Sequence, residues 1–384
     1  MNLCLVTETF PPEINGVAMT LRNLVEGLCE RGHAVSVCRP RQGAEAAAPP
    51  TSAWQEHLFR GFSAPGYPQV RLGFPAPFRL RKIWTANRPD VVHIATEGPL
   101  GWSALRTARA LGIPVSSSFH TNFHQYSQHY GAAWTARPVL GYLRWFHNRA
   151  ALTLSPTAEL NEQLVRDGFT GVRLLARGVN SRVFSPRLRD EGLRRLWGAG
   201  PSDCVVIHVS RLAAEKNYPL VIEGWQALRA RQPRTRCVMV SDGPLRSRLQ
   251  RMAPWAHFTG FIDRDALARH YASADLFLYA SETETFGNVV TEAMASGLTV
   301  VAYRYAAPAR YIDSGINGIT VPLGNREAWL AAALKTAGDA ESLRRMGRAA
   351  RQTAETISWD TVVERFVEDL RSLLAPNPAL TGTR

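Results

Sequence analysis

Glu284 and Glu292 stand with seven residues between them in the stretch SETETFGNVVTEAMASG, Ser281 to Gly297. An apolar run, Ala274-Asp275-Leu276-Phe277-Leu278-Tyr279-Ala280, lies just upstream and predicts a buried strand. The turn Phe286-Gly287-Asn288-Val289 leads from it into a helix of short side chains. Strand, loop and helix in that order aim the first N–H groups, those of Asn288, Val289 and Val290, above the strand end. A helix start with a glycine beside it is an anion site. Glu284 just ahead of it would repel a phosphate, but a carboxylate accepts hydrogen bonds from sugar hydroxyls. Glu292, about two turns into the helix, suits a ribose in the same way. A phosphate cradle flanked by hydroxyl acceptors implies a nucleotide-sugar site.

A second loop carries cations. Lysine occurs only at Lys82, Lys216 and Lys335, so 42 of the 45 basic residues are arginine. Lys216 lies in SRLAAEKN, after the apolar run Val205 to Val209 and before a helix expected from Pro219 to Arg229. Together with Arg211 this is another phosphate layout, because arginine grips phosphate as a fork and lysine as a point charge. The blander reading has Lys216 capping the helix or pairing with Glu215. Three more loops follow strands: Phe10 to Gly16, Phe119 to Gln125 and Ser241 to Pro244. Ligands of open α/β sheets bind beyond the carboxyl ends of the strands, so five such loops converge on one region. Each candidate also has a structural reading. His120, His124 and His129 are packed histidines, Glu13 and Glu97 are solvated loop residues, and Asp242 caps a helix starting near Leu245.

The elements that must position these loops repeat in two halves. In the first, strands are expected at Leu3 to Thr7, Ala34 to Cys38, Asp90 to Ile94 and Val115 to Phe119, with helices from Val17 to Arg31 and Leu100 to Leu111. Gly32 stops the first helix as a C-cap would. In the second, strands fall near Val205 to Val209, Cys237 to Ser241, His257 to Thr259, Leu276 to Tyr279 and Thr299 to Ala302. Such alternation predicts doubly wound parallel sheets with right-handed crossovers, in an α/β chain of two domains. The N-terminal domain is expected over 1–185, a polar linker with Pro186 and Pro201 over 186–202, and the C-terminal domain over 203–357. An amphipathic helix, 358–374, is expected to pack back on the first domain, and 375–384 reads as a loose tail.

Composition fits ordinary globular cores, with 384 residues and 45% hydrophobic content. Five cysteines, Cys4, Cys29, Cys38, Cys204 and Cys237, have no ligand-like spacing and suggest a reducing compartment. No leader and no run of roughly 20 apolar residues is seen, so a cytoplasmic protein, soluble or peripheral on the inner face of the membrane, is expected. The net charge of +13 is uneven: residues 1–200 hold 23 basic and 13 acidic residues, a balance of +10. From Gly98 to Ala158 there is no acid, while Arg106, Arg109, Arg137, Arg144 and Arg149 mix with Trp102, Trp134, Tyr142, Trp145 and Phe146. Solvated arginines and an anionic lipid surface explain this window equally well, and nucleic acid is not expected as a partner. No G-x-G-x-x-G follows the first strand, which argues against a dehydrogenase.

Taken together, ETFPPEINGVA, PDVVHIATEGPLG, SFHTNF, SRLAAEKN, VSDGP and SETETFGNVVTEAMASG make the chain resemble the retaining glycosyltransferases of family 4 over nearly its full length. That family has the GT-B fold, two Rossmann-like domains facing a deep interdomain cleft. Two departures are seen: a single Gly16 where many members have a glycine pair, and Ser241 where glycine is common. The single-glycine form is similar to the branch of GDP-mannose-dependent α-mannosyltransferases and sulfoquinovosyl diacylglycerol synthases. The resemblance implies that Arg211 and Lys216 clamp the diphosphate. Gly16, Gly287, Asn288 and Val289 would add backbone donors beside Phe286. Glu284 would bind the donor sugar and Glu292 the ribose. Asp242, Gly243 and Phe261 would shape the nucleotide pocket, and His120 would sit by the anomeric carbon.

The reaction so implied retains configuration, with the leaving phosphate helping to take the acceptor proton. No metal and no cofactor is implied beyond the donor, GDP-mannose ahead of a UDP-hexose, carrying mannose ahead of glucose or glucuronate. The acceptor is expected to be a lipid. A soluble or polysaccharide acceptor is the alternative, and a non-catalytic nucleotide-sugar-binding protein is a second one.

Overall fold

Runs of aliphatic residues build two separate parallel sheets. They are seen in a computed structural model that describes every residue except 14, 43–44, 46–52, 65–66, 121–135, 213–215 and 375–384. The chain divides into two units: Met1–Arg177 joined by the chain from Trp359, and Gly178–Ser358.

In the first unit the strands are β1 (Asn2–Val6), β2 (Ala34–Pro40), β3 (Gln55–Phe59), β6 (Val91–Ile94), β7 (Val115–Ser118), β8 (Leu152–Ser155) and β9 (Val172–Leu174). They pair in parallel in the order β3-β2-β1-β6-β7-β8-β9. A separate antiparallel pair, β4 (Gly61–Ala64) and β5 (Tyr67–Gly73), interrupts the alternation. The helices are α1 (Gly16–Glu30), α2 (Pro77–Ala86), α3 (Pro99–Ala110), α4 (Ala136–His147) and α5 (Ala158–Arg166). Helix α1 starts where the Asn15 side chain accepts the Val17 and Ala18 N–H groups, at 3.0 and 2.9 Å. Its buried stripe of Leu21, Leu24, Val25 and Leu28 shares a core with Val363, Phe366 and Leu370. Those residues lie on the last helix of the chain, Trp359–Arg371, which thus belongs to this unit.

The second unit holds β10 (Val205–Val209), β11 (Arg236–Val240), β12 (His257–Phe258), β13 (Leu276–Tyr279), β14 (Thr299–Tyr303) and β15 (Ile319–Val321). They pair in parallel in the order β12-β11-β10-β13-β14-β15. Strand order therefore reverses between β10 and β13, and between β1 and β6 in the first sheet. Those are the switch points of a doubly wound fold, where loops diverge and leave room for a ligand. The second unit's helices include α6 (Glu191–Leu196), α7 (Tyr218–Arg231), α8 (Arg246–Met252), α9 (Arg264–Ala272) and α10 (Asn288–Ala295).

The segment 186–202, expected as a polar linker, is instead built into the second unit. The boundary between units falls at Arg177 and Gly178. The reason is Arg194, whose side chain is fully buried. Its guanidinium donates to the carbonyls of Ser273 (2.9 Å), Gly200 (3.1 Å) and Asp203 (2.7 Å) and to Asp275 Oδ2 (3.0 Å). Asp275 also accepts the Val205 N–H at 2.8 Å, so one ion pair ties α6 to the edge of two central strands. Substituting Arg194→Met should cost about 3–5 kcal/mol of unfolding free energy, since Asp275 would stay behind with its main cation gone. Denaturant unfolding measures this, and a loss under about 1 kcal/mol would return the segment to the status of a linker.

Candidate nucleotide-sugar site

In the second unit the two motif loops leave β10 and β13, the strands on either side of the switch point. A buried hydrogen-bonded column sets the first loop. His208 on β10 is held by the Leu278 carbonyl (2.7 Å) and by Ser210 Oγ (3.0 Å). Ser210 Oγ meets Tyr218 Oη at 2.7 Å, and Tyr218 Oη lies 3.0 Å from the carbonyls of both Ser210 and Arg211. Burial pushes the His208 imidazole down to about 4, so the column is uncharged at neutral pH. It fixes the backbone of Arg211, whose side chain is exposed, and the start of α7 just beyond Lys216.

Lys216 reaches across to the other loop. Its Nζ donates to Glu284 Oε1, with the two side chains only 13% and 14% exposed. Tyr279, at the end of β13, donates to the same carboxylate oxygen. Asn217 adds a second tie, to Glu282, at 3.0 Å. The structure therefore brings together Lys216 and Glu284, two of the charges singled out by motif. The pairing of Lys216 with Glu284, 68 residues away in sequence, is what makes the loops one site.

Gly287 stands ahead of α10 with φ of 93°, a left-handed conformation that glycine adopts at little cost. One part of the expected cradle is corrected. The Val290 N–H is returned to the Gly287 carbonyl at 3.0 Å, so Asn288 and Val289 alone offer the leading amides. The Phe286 ring is buried in the core, 6.1 Å from the Tyr311 ring, and its carbonyl accepts the Ala307 N–H at 2.8 Å. On α10, Glu292 accepts from Tyr271 Oη at 3.3 Å. Burial raises its carboxyl to about 7, while Arg264 acts in the other direction.

The loop after β11 packs directly on the cation loop. Leu212 donates its N–H to the Asp242 carbonyl (3.0 Å), and Leu245 returns one to the Leu212 carbonyl (3.1 Å). A Cβ at Gly243 would lie 2.6 Å from that carbonyl oxygen, so only glycine fits. Asp242 does not cap α8. It accepts the Gly243 N–H at 2.7 Å and pairs with Arg246 at 2.9 Å. Ser241 has φ of 112°, in the region that favours glycine, which accounts for the family's usual residue there. Its bridge to Gly260 places Phe261, 72% exposed, beside this loop.

The first unit carries Gly16 and His120 after β1 and β7. Gly16 opens α1, and its carbonyl accepts from Thr20 Oγ1 at 2.7 Å. The rest of 119–125 from residue 121 onward, with His124 and His129, lies outside the described residues. So does Glu215. Two acids expected to be solvated are not. Glu13 is bonded by Thr9 and by Gln42 Nε2 (2.6 Å), and Glu97 by His147 Nε2 (3.0 Å), whose Nδ1 meets Ser117 Oγ at 2.8 Å.

Sequence reasoning missed Glu8. Buried after β1, it accepts the N–H groups of Leu100 (3.0 Å) and Gly73, and so fills the anion position at the start of α3. Burial lifts its carboxyl to about 7. The available signal was an acid two residues beyond the apolar run Leu3 to Val6. Among the described residues no three His, Cys, Asp or Glu side chains gather to hold a metal ion.

The same unit exposes a basic, aromatic surface. On α3, Arg106 lies 4.9 Å over the Trp102 ring. Arg149 lies 4.3 Å over Trp145, which stacks on Tyr142 along α4. Tyr142 Oη bonds the Glu97 carbonyl at 2.6 Å, joining α4 to the start of α3. The sequence reading did not include α2, which exposes Phe78 (89%) among Arg79, Arg81 and Lys82. No described helix is long and apolar enough to cross a membrane.

Two doubly wound sheets with this pair of cation and carboxylate loops define the nucleotide-sugar-dependent class of fold, and comparison with known proteins agrees. The family model for Glycosyltransferase Family 4 matches residues 14–183, and that for Glycosyl transferases group 1 matches 203–339. The chain is 34% identical over 375 residues to a GDP-mannose-dependent alpha-mannosyltransferase of Mycobacterium tuberculosis, covering 96% of this chain and 95% of that protein. It is 31% identical over 357 residues to the sulfoquinovosyl transferase SQD2 of Arabidopsis thaliana, covering 90% and 68%. Among solved structures it superposes on Anabaena HepE in complex with UDP and glucose with a TM-score of 0.78, at 18% identity and 97% and 100% coverage. The chain belongs to the glycosyltransferases of family 4, with the GT-B fold. It is a hexosyltransferase, in the branch its loop motifs resemble.

Glu292 gives this site a measurable pH signature. A carboxyl with a raised folded pKa holds its proton more tightly when folded. Its contribution is fully present below the unfolded value near 4.5 and is lost as pH rises through about 7. Glu292→Gln should therefore be more stable than the parent by about 1–3 kcal/mol at pH near 8, and equal to it near pH 4. Denaturation curves at the two pH values decide it, and a variant that is less stable at the higher pH refutes the assignment.

Proposed function

We propose that this chain is a retaining mannosyltransferase that moves mannose from GDP-mannose to a lipid acceptor at the inner face of a membrane, without a metal ion. The observation that carries the reading is the Lys216–Glu284 pair beside Arg211 and the start of α10. Cations, helix amides and a hydroxyl-accepting carboxylate are the three needs of a sugar diphosphate. Its likeness to the GDP-mannose-dependent alpha-mannosyltransferase of Mycobacterium tuberculosis supports mannose over glucose or glucuronate, and GDP over UDP.

In this reading the diphosphate lies against Arg211, Lys216 and the amides of Asn288 and Val289. Charge grows on the leaving oxygen as the bond to the anomeric carbon breaks, and fixed cations stabilise it without reorganising. Lys216 is held in place by Glu284 before the donor arrives. A carboxylate has about four lone-pair sites, so Glu284 can keep Lys216 and Tyr279 while accepting a sugar hydroxyl. Glu292 accepts from the ribose, Phe261 and the Asp242-Gly243 turn border the base, and the Gly16 backbone and the His120 ring address the transferred sugar. The acceptor oxygen forms its bond on the face from which the diphosphate leaves, and its proton passes to the departing phosphate oxygen. Arginine and lysine supply the charge that a metal would otherwise bring.

Activity assays on GDP-mannose, UDP-glucose and UDP-glucuronate in the presence of EDTA test this directly. Transfer from GDP-mannose is expected to survive chelation. Arg211→Ala and Lys216→Ala should each lower turnover at least about a hundredfold, near 2.7 kcal/mol of barrier. Near-normal turnover in either folded variant removes the clamp, and activity that returns only with added magnesium or manganese removes the metal-free mechanism.

The lipid half of the proposal rests on the cationic and aromatic surface of α2, α3 and α4. Each basic residue near an anionic surface contributes about 1 kcal/mol, decaying over a Debye length of about 8 Å. The protein should sediment with anionic vesicles at low salt, less at high salt, and little with neutral ones. Equal binding to both lipids at low salt would move the acceptor to a soluble or polymeric sugar.

A further inference from the structure

We infer that Arg177 is a positioning residue of the transfer reaction, holding His120 as the single tautomer that presents Nε2–H and tying it through Thr20 to Gly16. The inference rests on the proposed role of His120 at the transferred sugar. Arg177 lies just beyond β9 and is buried. Its Nη2 is 3.0 Å from His120 Nδ1, and its Nη1 donates to Thr20 Oγ1. Thr20 in turn donates to the Gly16 carbonyl at 2.7 Å.

The direction of these bonds follows from chemistry. A guanidinium has donors and no acceptor, so His120 Nδ1 must accept. A neutral imidazole that accepts at Nδ1 carries its proton on Nε2. That Nε2 is buried and, among the described residues, has no hydrogen-bond partner. His120 borders a small cavity lined also by Thr20, Ser118, Ser155 and Arg177, large enough for about one water. An unmet donor beside such a space is costly unless something arrives to accept from it.

Nearby groups keep the ring neutral. Burial pulls the His120 pKa well down, and Arg177 pulls it further. The other titratable groups that act on it are His93 from β6 and His147 from α4, the latter bonded to Glu97. His93 is itself pushed down to about 3 by burial and is engaged on both nitrogens by Ser116 and Ser118, so it adds no charge. A neutral Nε2–H donor can bind a sugar oxygen at all working pH values. A ring free to tautomerise would spend part of its time presenting a lone pair instead.

Magnetic resonance of the full chain with labelled histidine ring nitrogens reads the tautomer, the His120 signals being assigned by their loss in His120→Gln. The parent protein is expected to show one neutral Nε2–H form, unchanged between about pH 5.5 and 8. Arg177→Met should mix the tautomers and bring a titration into that range. It should also lower kcat at least about tenfold with little change in donor KM, and Arg177→Lys should recover most of the loss. A parent His120 in the Nδ1–H form, or one that titrates near its ordinary value, overturns the inference even if a variant fails to fold. If the tautomer is as expected but His120→Gln transfers sugar at the parental rate, the reaction role of His120 and Arg177 falls while the tautomer assignment stands. If His120→Gln is inactive but Arg177→Met has parental kcat and an unmixed tautomer, the positioning role alone falls.

Discussion

One ion pair organises the second unit's site. Lys216 and Glu284 come from loops after β10 and β13, the adjacent strands at which sheet order reverses. Each side chain is largely shielded from water, where an unpartnered charge is costly. The pair therefore sets the spacing between the cation of one loop and the carboxylate of the other. Tyr279 reinforces it from β13, and the His208–Ser210–Tyr218 column holds the cation loop from below. The Gly243 turn then seats against Leu212 so closely that no side chain fits between them. A site prearranged in this way needs little reorganisation when charge develops on a leaving phosphate.

The first unit solves a related problem differently. Its α3 start, another place for an anion, is filled by the chain's own Glu8. The opening of α1 and His120, two residues beyond β7, are further polar features of this unit, and Arg177 links them through Thr20. The second sheet repeats the order of the first six strands of the larger one, yet the loops differ: Lys216 paired with Glu284 in one, a buried Arg177–His120 contact in the other. Which chemistry a doubly wound sheet presents is decided by the loops and not by the sheet.

Much of this was legible in the sequence. Apolar runs located the central strands to within a residue or two, because strands buried on both faces read as unbroken aliphatic stretches. The hairpin of β4 and β5 was not legible. Its strands are short and carry proline and glycine, and they pair with each other outside the parallel alternation. The polar segment 186–202 was misread because its anchor is a single buried arginine among 42, and burial does not show in residue type. At the site, Arg211, Lys216, Glu284 and Gly287 stood out by type and spacing. Tyr279, Tyr218 and His208 did not, since inside apolar strands and helices they look like filling. Arg177 and Glu8 were missed for the same reason as Arg194: their partners are distant in sequence.

The central claim is that Glu284 serves the sugar while Lys216 serves the diphosphate. Calorimetric titration of GDP and of GDP-mannose into the parent, Glu284→Gln and Lys216→Met proteins separates the two roles. The account predicts that Lys216→Met weakens both ligands alike, whereas Glu284→Gln weakens GDP-mannose by clearly more than it weakens GDP. Equal weakening of both ligands by Glu284→Gln would contradict it, and would make that carboxylate merely the keeper of Lys216.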